Sequence, residues 1–154
     1  MKNEKKIKIN YITYIKKHYI PSTRSMKKWI LRSLIKNIVS QVNIIFVGSQ
    51  RIRTLNKKFL KKDKPTNVLT FTYKDSKVLH GDIILCPEII NKEARNFGFS
   101  CDSRWAHMIV HSLLHLQGYD HKTKKNHFSL YLNAKLFETK LKHYYLRNFD
   151  RNKI

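Results

Sequence analysis

Residues 7–15 alternate loosely, with Ile7, Ile9 and Tyr11 in step, which predicts a first strand. Pro21-Ser22-Thr23 then offers a hydroxyl where a helix N-cap needs one. Met26, Trp29, Ile30, Leu34, Ile35 and Ile38 follow at helical spacing, and Lys27, Lys28, Arg32 and Lys36 fill the opposite face. Gln41 to Gly48 is short, apolar and β-branched, the pattern of a buried strand. Ser49 to about Phe59 reads as a second helix that lines up Ile52, Leu55 and Phe59.

The charged run Lys61-Lys62-Asp63-Lys64-Pro65 predicts a loop, and Thr66 to Tyr73 is rich in strand formers. Turn residues at 74–77 followed by Val78 to Cys86 predict an antiparallel return. Pro87 opens a short helix ending near Gly98. A further helix, capped by Asp102 or Ser103, runs to Gln117 with Gly118 as its stop. A last helix, about Lys124 to Leu146, would bury Phe128, Tyr131, Leu132, Phe137, Leu141 and Tyr144, leaving 148–154 frayed. No repeat, linker or internal boundary interrupts the pattern. It predicts one α/β (α+β) domain over residues 1–154, a small mixed sheet packed with helices.

Composition narrows the class. The 154 residues hold 32 Lys+Arg against 10 Asp+Glu, a net +22, yet 42% are hydrophobic, so a folded core is expected despite the charge. Such a surface attracts polyanions, and 8 Tyr with 8 Phe make RNA or DNA the first guess. An abundance of Lys, Ile, Asn and Tyr, all with A/T-rich codons, explains the same excess by mutational drift. Two cysteines, Cys86 and Cys101, make no disulfide framework and no C-x-x-C pair, and are expected as small apolar side chains. The N-terminus lacks the apolar run of a signal peptide, and no window approaches a membrane span. A cytosolic protein without membrane association is the expectation.

The chemistry concentrates in HSLLHLQGYDH at 111–121. His111 and His115 lie four apart on a predicted helix, so their imidazoles share a face. Gly118 takes the left-handed turn cheaply and can swing His121 back to the same point. Three neutral imidazoles with an open fourth position describe a site for one Zn2+ per chain. Its bound water, with a pKa brought down to roughly 7, would offer a hydroxide nucleophile; against RNA, zinc as Lewis acid for a 2′-OH attack is the alternative. The spacing alone does not choose the reaction. Metzincin proteases share it but carry a glutamate base after the first histidine, where this chain has Ser112. An all-histidine centre keeps the metal's charge undiluted and suits an anionic substrate such as a phosphodiester.

The same stretch resembles the zinc motif H-G-x-L-H-L-x-G-Y-D-H of the YbeY family of bacterial endoribonucleases. LNKKFLKKDKPTNVLTF at 55–71 is similar to that family's L-N-x-x-[YF]-R-x-x-D-x-P-T-[DN]-V-L-S-F segment, and HGDIILC at 80–86 to its L-G-D-I strand. The resemblance implies a zincin-like fold, zinc on His111, His115 and His121, and single-strand-specific RNA cleavage. It also implies work on the 3′ end of 16S rRNA, ribosome quality control and the small ribosomal subunit as partner, in the bacterial cytoplasm. Two positions depart from the pattern. Ser112 replaces a glycine, where its side chain would crowd the site or touch a phosphate. Leu60 stands where the family has an arginine, and leucine cannot grip a phosphate bidentately. Lys61 or Lys62 would supply only a point charge.

Other residues are candidates for contacts behind the metal or with substrate: Asp120, His107, Ser112, Lys61, Lys62, Thr66 and Asn67. His107 lies about 12 Å of helical rise from His115, too far to share an ion, and reads as surface or half-buried. Asp120 would orient a ligand imidazole or simply serve the turn. Thr70 joins Thr66 and Asn67 as a cleft-lining candidate, His80 and Asp82 would flank the cleft, Tyr119 would pack beneath the turn, and His18, His127 and His143 read as surface. Three functions compete: a zinc endoribonuclease, a non-catalytic ribosome-binding factor with structural zinc, and a metalloprotease-like hydrolase, which Ser112 disfavours. Residues 81–121 hold 3 Lys or Arg against 5 Asp or Glu, so the positive charge lies outside the histidine segment.

Overall fold

A computed structural model of the chain describes residues 6–34, 38–75 and 78–118. Its elements run β1 (Lys8–Thr13), α1 (Thr23–Ser33), β2 (Val39–Phe46), α2 (Ser49–Leu60), β3 (Val68–Asp75), β4 (Val78–Leu85), α3 (Pro87–Phe97) and α4 (Cys101–Leu116). The strands form one sheet in the order β1-β2-β4-β3. β1, β2 and β4 are parallel, and β3 returns antiparallel on β4 as the turn chemistry predicts, with Val68 opposite Leu85. The mixed α/β class is therefore as expected. The expected final helix lies outside the described residues.

Strand alternation sorts the sheet into two faces. Val42, Ile44 and Phe46 of β2 and Leu79, Ile83 and Leu85 of β4 pack with Met26, Trp29 and Ile30 of α1 and with Trp105, Met108, Ile109 and Leu113 of α4. Phe46 meets the Trp105 ring edge-on, centroids 5.9 Å apart. The opposite face carries a smaller cluster of Ile52 from α2 with Leu69, Ile84 and Cys86. Each fully buried aliphatic side chain of this kind stabilises by about 1.5–3 kcal/mol, so the α1/α4 face holds most of the core. Among the described residues no helix is long and apolar enough to cross a membrane.

Four boundaries differ from expectation. α1 stops at Ser33, so Leu34 and Ile38 leave its apolar series; Ile35 lies outside the described residues. The reason is tertiary: Gln117 Nε2 donates to the Ser33 carbonyl at 2.8 Å, satisfying a helix-end acceptor from another element. β2 accordingly starts earlier, at Val39. β3 begins at Val68, leaving Thr66 and Asn67 in the approach to the strand. The cap of α4 is Ser100 rather than Asp102 or Ser103; its hydroxyl accepts from the Ser103 N–H at 3.1 Å. Asp102 in the first turn instead accepts from the Tyr19 hydroxyl at 2.5 Å. That bond pushes the Tyr19 pKa up to about 12.

Candidate metal centre

α4 carries His107, His111 and His115 at successive turns, and their fates differ. His107 is 1% exposed, His111 is 7% exposed, and His115 is open to solvent. The His111 and His115 rings stand edge to face with centroids 5.6 Å apart. Two imidazoles this close can reach one ion, given zinc–nitrogen distances of about 2.0–2.1 Å. The donor chemistry therefore fits zinc as far as the described residues go, although no group of three donors gathers among them. His121, Asp120 and Tyr119 lie outside the described residues, as do His127 and His143. Gly118, at φ 91°, makes the left-handed turn that the motif predicts, and its N–H bonds to the His115 carbonyl at 3.0 Å.

The last turn of α4 is laid on the sheet through a missing side chain. A Cβ on Gly81 of β4 would fall 1.8 Å from Leu116 Cδ1 and 2.8 Å from its Cγ. Only glycine admits the buried Leu116 at that point. No role was expected for Gly81; the available signal was a glycine inside an apolar strand, which marks a close approach.

Ser112 differs from expectation. It is fully buried, and its hydroxyl donates to the Met108 carbonyl at 2.7 Å, so it neither crowds the histidines nor faces a phosphate. His107 is not a surface or half-buried histidine either. Burial holds it well below the ordinary imidazole range, and Arg104 and His111 push the same way. Arg104 Nη1 lies 3.3 Å from His107 Nδ1, and the His107 ring meets that of His111 at a centroid distance of 6.4 Å.

Arg104 leads to residues not singled out from the sequence. Only 3% exposed, it gives Nε and Nη2 to Glu93 Oε2 of α3 at 2.9 and 2.6 Å. Asn67 Nδ2 reaches the same carboxylate, 3.1 Å from Oε1. Its carbonyl accepts from the Cys86 N–H at 2.9 Å, extending the β3–β4 ladder. The one legible hint was an arginine inside the apolar run of α4.

Lys61 and Lys62 are exposed at the end of α2, where Lys61 takes a left-handed φ of 59°. The following loop is tied down: Asn56 Nδ2 donates to the Lys64 carbonyl at 2.8 Å, and Asp63 pairs with Arg53 at 2.9 Å. The Arg53 hydrogen bond lowers the Asp63 pKa. Leu60 is 52% exposed, so an arginine would fit there without displacing core. Thr66 is half-buried, and Thr70, opposite Ile83, is turned to the α4 side of the sheet. His80 and Asp82 are turned away from it by strand alternation, so they do not flank the histidines; Asp82 accepts from Asn43 Nδ2 at 2.8 Å. His18 is exposed, and Cys86 is a buried thiol whose pKa burial raises.

A small mixed sheet carrying a helix whose last turns present an imidazole pair defines a mixed α/β protein. The sequence profile of the family described as Endoribonuclease YbeY matches residues 3–137. An Endoribonuclease YbeY from Wigglesworthia glossinidia brevipalpis is 44% identical over 112 residues, spanning 69% of this chain and 73% of its own. One from Buchnera aphidicola subsp. Baizongia pistaciae is 35% identical over 140 residues, spanning 86% and 91%. The solution structure of TM1509 from Thermotoga maritima shares the fold at a TM-score of 0.55, with 23% identity and 93% of each chain covered. The chain belongs to the YbeY endoribonuclease family.

Proposed function

We propose that this chain is a zinc-dependent endoribonuclease that cuts single-stranded RNA, holding one Zn2+ on His111, His115 and His121. Family membership carries the coarser part, a metal-dependent hydrolase acting on RNA. The observation behind the finer part is the pair of imidazoles at 5.6 Å on the end of α4. Zinc bound there supplies an electrophile for the phosphoryl group and lowers the pKa of water. The protein's part is to hold the imidazoles and to neutralise flanking phosphates, for which the exposed Lys61 and Lys62 stand at the end of α2. We further read its substrate as the 3′ end of 16S rRNA, its partner as the small ribosomal subunit and its compartment as the bacterial cytoplasm.

Leu60, in place of the family arginine, favours a second reading: a ribosome-binding factor whose zinc is structural. One experiment separates the two. Protein purified under metal exclusion is assayed for bound zinc and for cleavage of a single-stranded RNA, with and without added zinc, beside His115→Ala. The proposal expects one zinc per chain and zinc-dependent cleavage that the variant loses. Equal cleavage by both proteins would sink the enzyme reading.

A further inference from the structure

Arg104 is the centre of a hydrogen-bonded chain that starts at the approach to β3 and ends behind His111. Asn67 donates to Glu93, Arg104 donates to the same carboxylate through Nε and Nη2, and Arg104 Nη1 stands against His107 Nδ1. A guanidinium only donates, so His107 Nδ1 must accept, and the ring is the neutral tautomer with its proton on Nε2. His107 then lies edge to face with His111. The chain ties the Thr66–Asn67 approach to α3 and α4 at the level of the imidazoles.

We propose that Asn67, Glu93, Arg104 and His107 act as a positioning relay that fixes the His111 ring, and with it the approach to β3, for metal binding and RNA cleavage. None of the four need touch the ion. The proposal rests on the zinc reading of His111 and His115. A guanidinium is required at its centre because one side chain must serve Glu93 and His107 at once. A lysine at the same position keeps a charge for Glu93 but cannot make the fork to both.

Arg104→Lys and His107→Phe test this, because both retain bulk in the core. Folding is checked by urea denaturation. Zinc affinity is measured by chelator competition, the cobalt(II)-substituted proteins are compared by visible absorption, and kcat and KM are measured on a single-stranded RNA. In metal-free protein, ring nitrogen shifts report the His107 tautomer. The relay predicts the Nε2–H tautomer in the wild type and its loss in Arg104→Lys. It also predicts zinc binding weaker by about 10–100-fold in each folded variant, an altered cobalt spectrum and a fall in kcat at nearly constant KM. If Arg104→Lys does not fold, His107→Phe decides the affinity and spectrum. Variants that bind zinc within twofold of the wild type, with an unchanged cobalt spectrum, overturn the relay and leave the zinc reading standing. A wild type that takes up no zinc overturns the zinc reading, and the relay with it.

Discussion

The middle and the end of α4 carry histidines on one helical face and place them in different surroundings. Near its start, α3 covers the face, and His107 and Arg104 are locked among buried polar groups with Glu93. At its end the face opens, His115 meets solvent, and the helix is held from its other side by Leu116 against Gly81. Identical spacing thus yields a buried imidazole held against Arg104 in one turn and a solvent-exposed one two turns later. Burial, more than residue type, separates the imidazole held against Arg104 from the one that meets solvent.

The difference can be broken at either end. Arg104→Ala should be the most costly change, because it strands the Glu93 carboxylate, whose side chain is only 24% exposed, without its cation. A loss of about 3 kcal/mol in urea denaturation is expected. A loss below about 0.5 kcal/mol would remove the contrast. His115→Ala should leave the stability of metal-free protein within about 0.5 kcal/mol, since the side chain is exposed. Its zinc affinity should fall by more than the about 100-fold cost of losing a supporting hydrogen bond, measured by chelator competition. Gly81→Ala should cost about 1–3 kcal/mol through the clash with Leu116, and the displaced helix end should lower zinc affinity too. A neutral Gly81→Ala would mean that Leu116 does not hold the last turn.

Two smaller effects sharpen the picture. Leu60→Arg should leave stability within about 0.5 kcal/mol at this exposed position while raising RNA cleavage several-fold. No gain in a steady-state cleavage assay would show that the lysines have replaced the arginine. Tyr19 probes the first turn of α4. Its hydrogen bond to Asp102 favours the neutral phenol, so its contribution is complete below pH 10 and is lost as pH rises through about 12. Tyr19 is half exposed, and the effect should stay within about 0.5 kcal/mol. Urea midpoints of wild type and Tyr19→Phe should therefore converge between pH 10 and 12.

Much of this site was legible in one dimension. The His111–His115 face, the Gly118 turn, the Ser22 cap and the antiparallel β3–β4 return all arise from neighbours within a few residues. Other features were hidden. His80 and Asp82 sit in a segment shared with the family, yet strand alternation turns them off the α4 face, and a period of two does not say which face is which. Ser112 read as a contact for substrate because it adjoins His111, but one step along a helix rotates a side chain by about 100°, here into the core.

The sequence by itself determined the helix and its imidazole pair, the glycine that ends it, the mixed alternation of strands and helices, and the family. Those follow from periodicity and from caps and turns, where the interacting backbone groups are covalent near-neighbours. Only the tertiary structure decided that Asn67 and Arg104 converge on Glu93, that His107 is buried behind His111, that Gly81 admits Leu116, and that Gln117 bonds the last turn of α1. Each of these depends on separate elements packing together. A charge or a missing Cβ has meaning there only once packing has brought its partner within a few ångströms and removed the water between them.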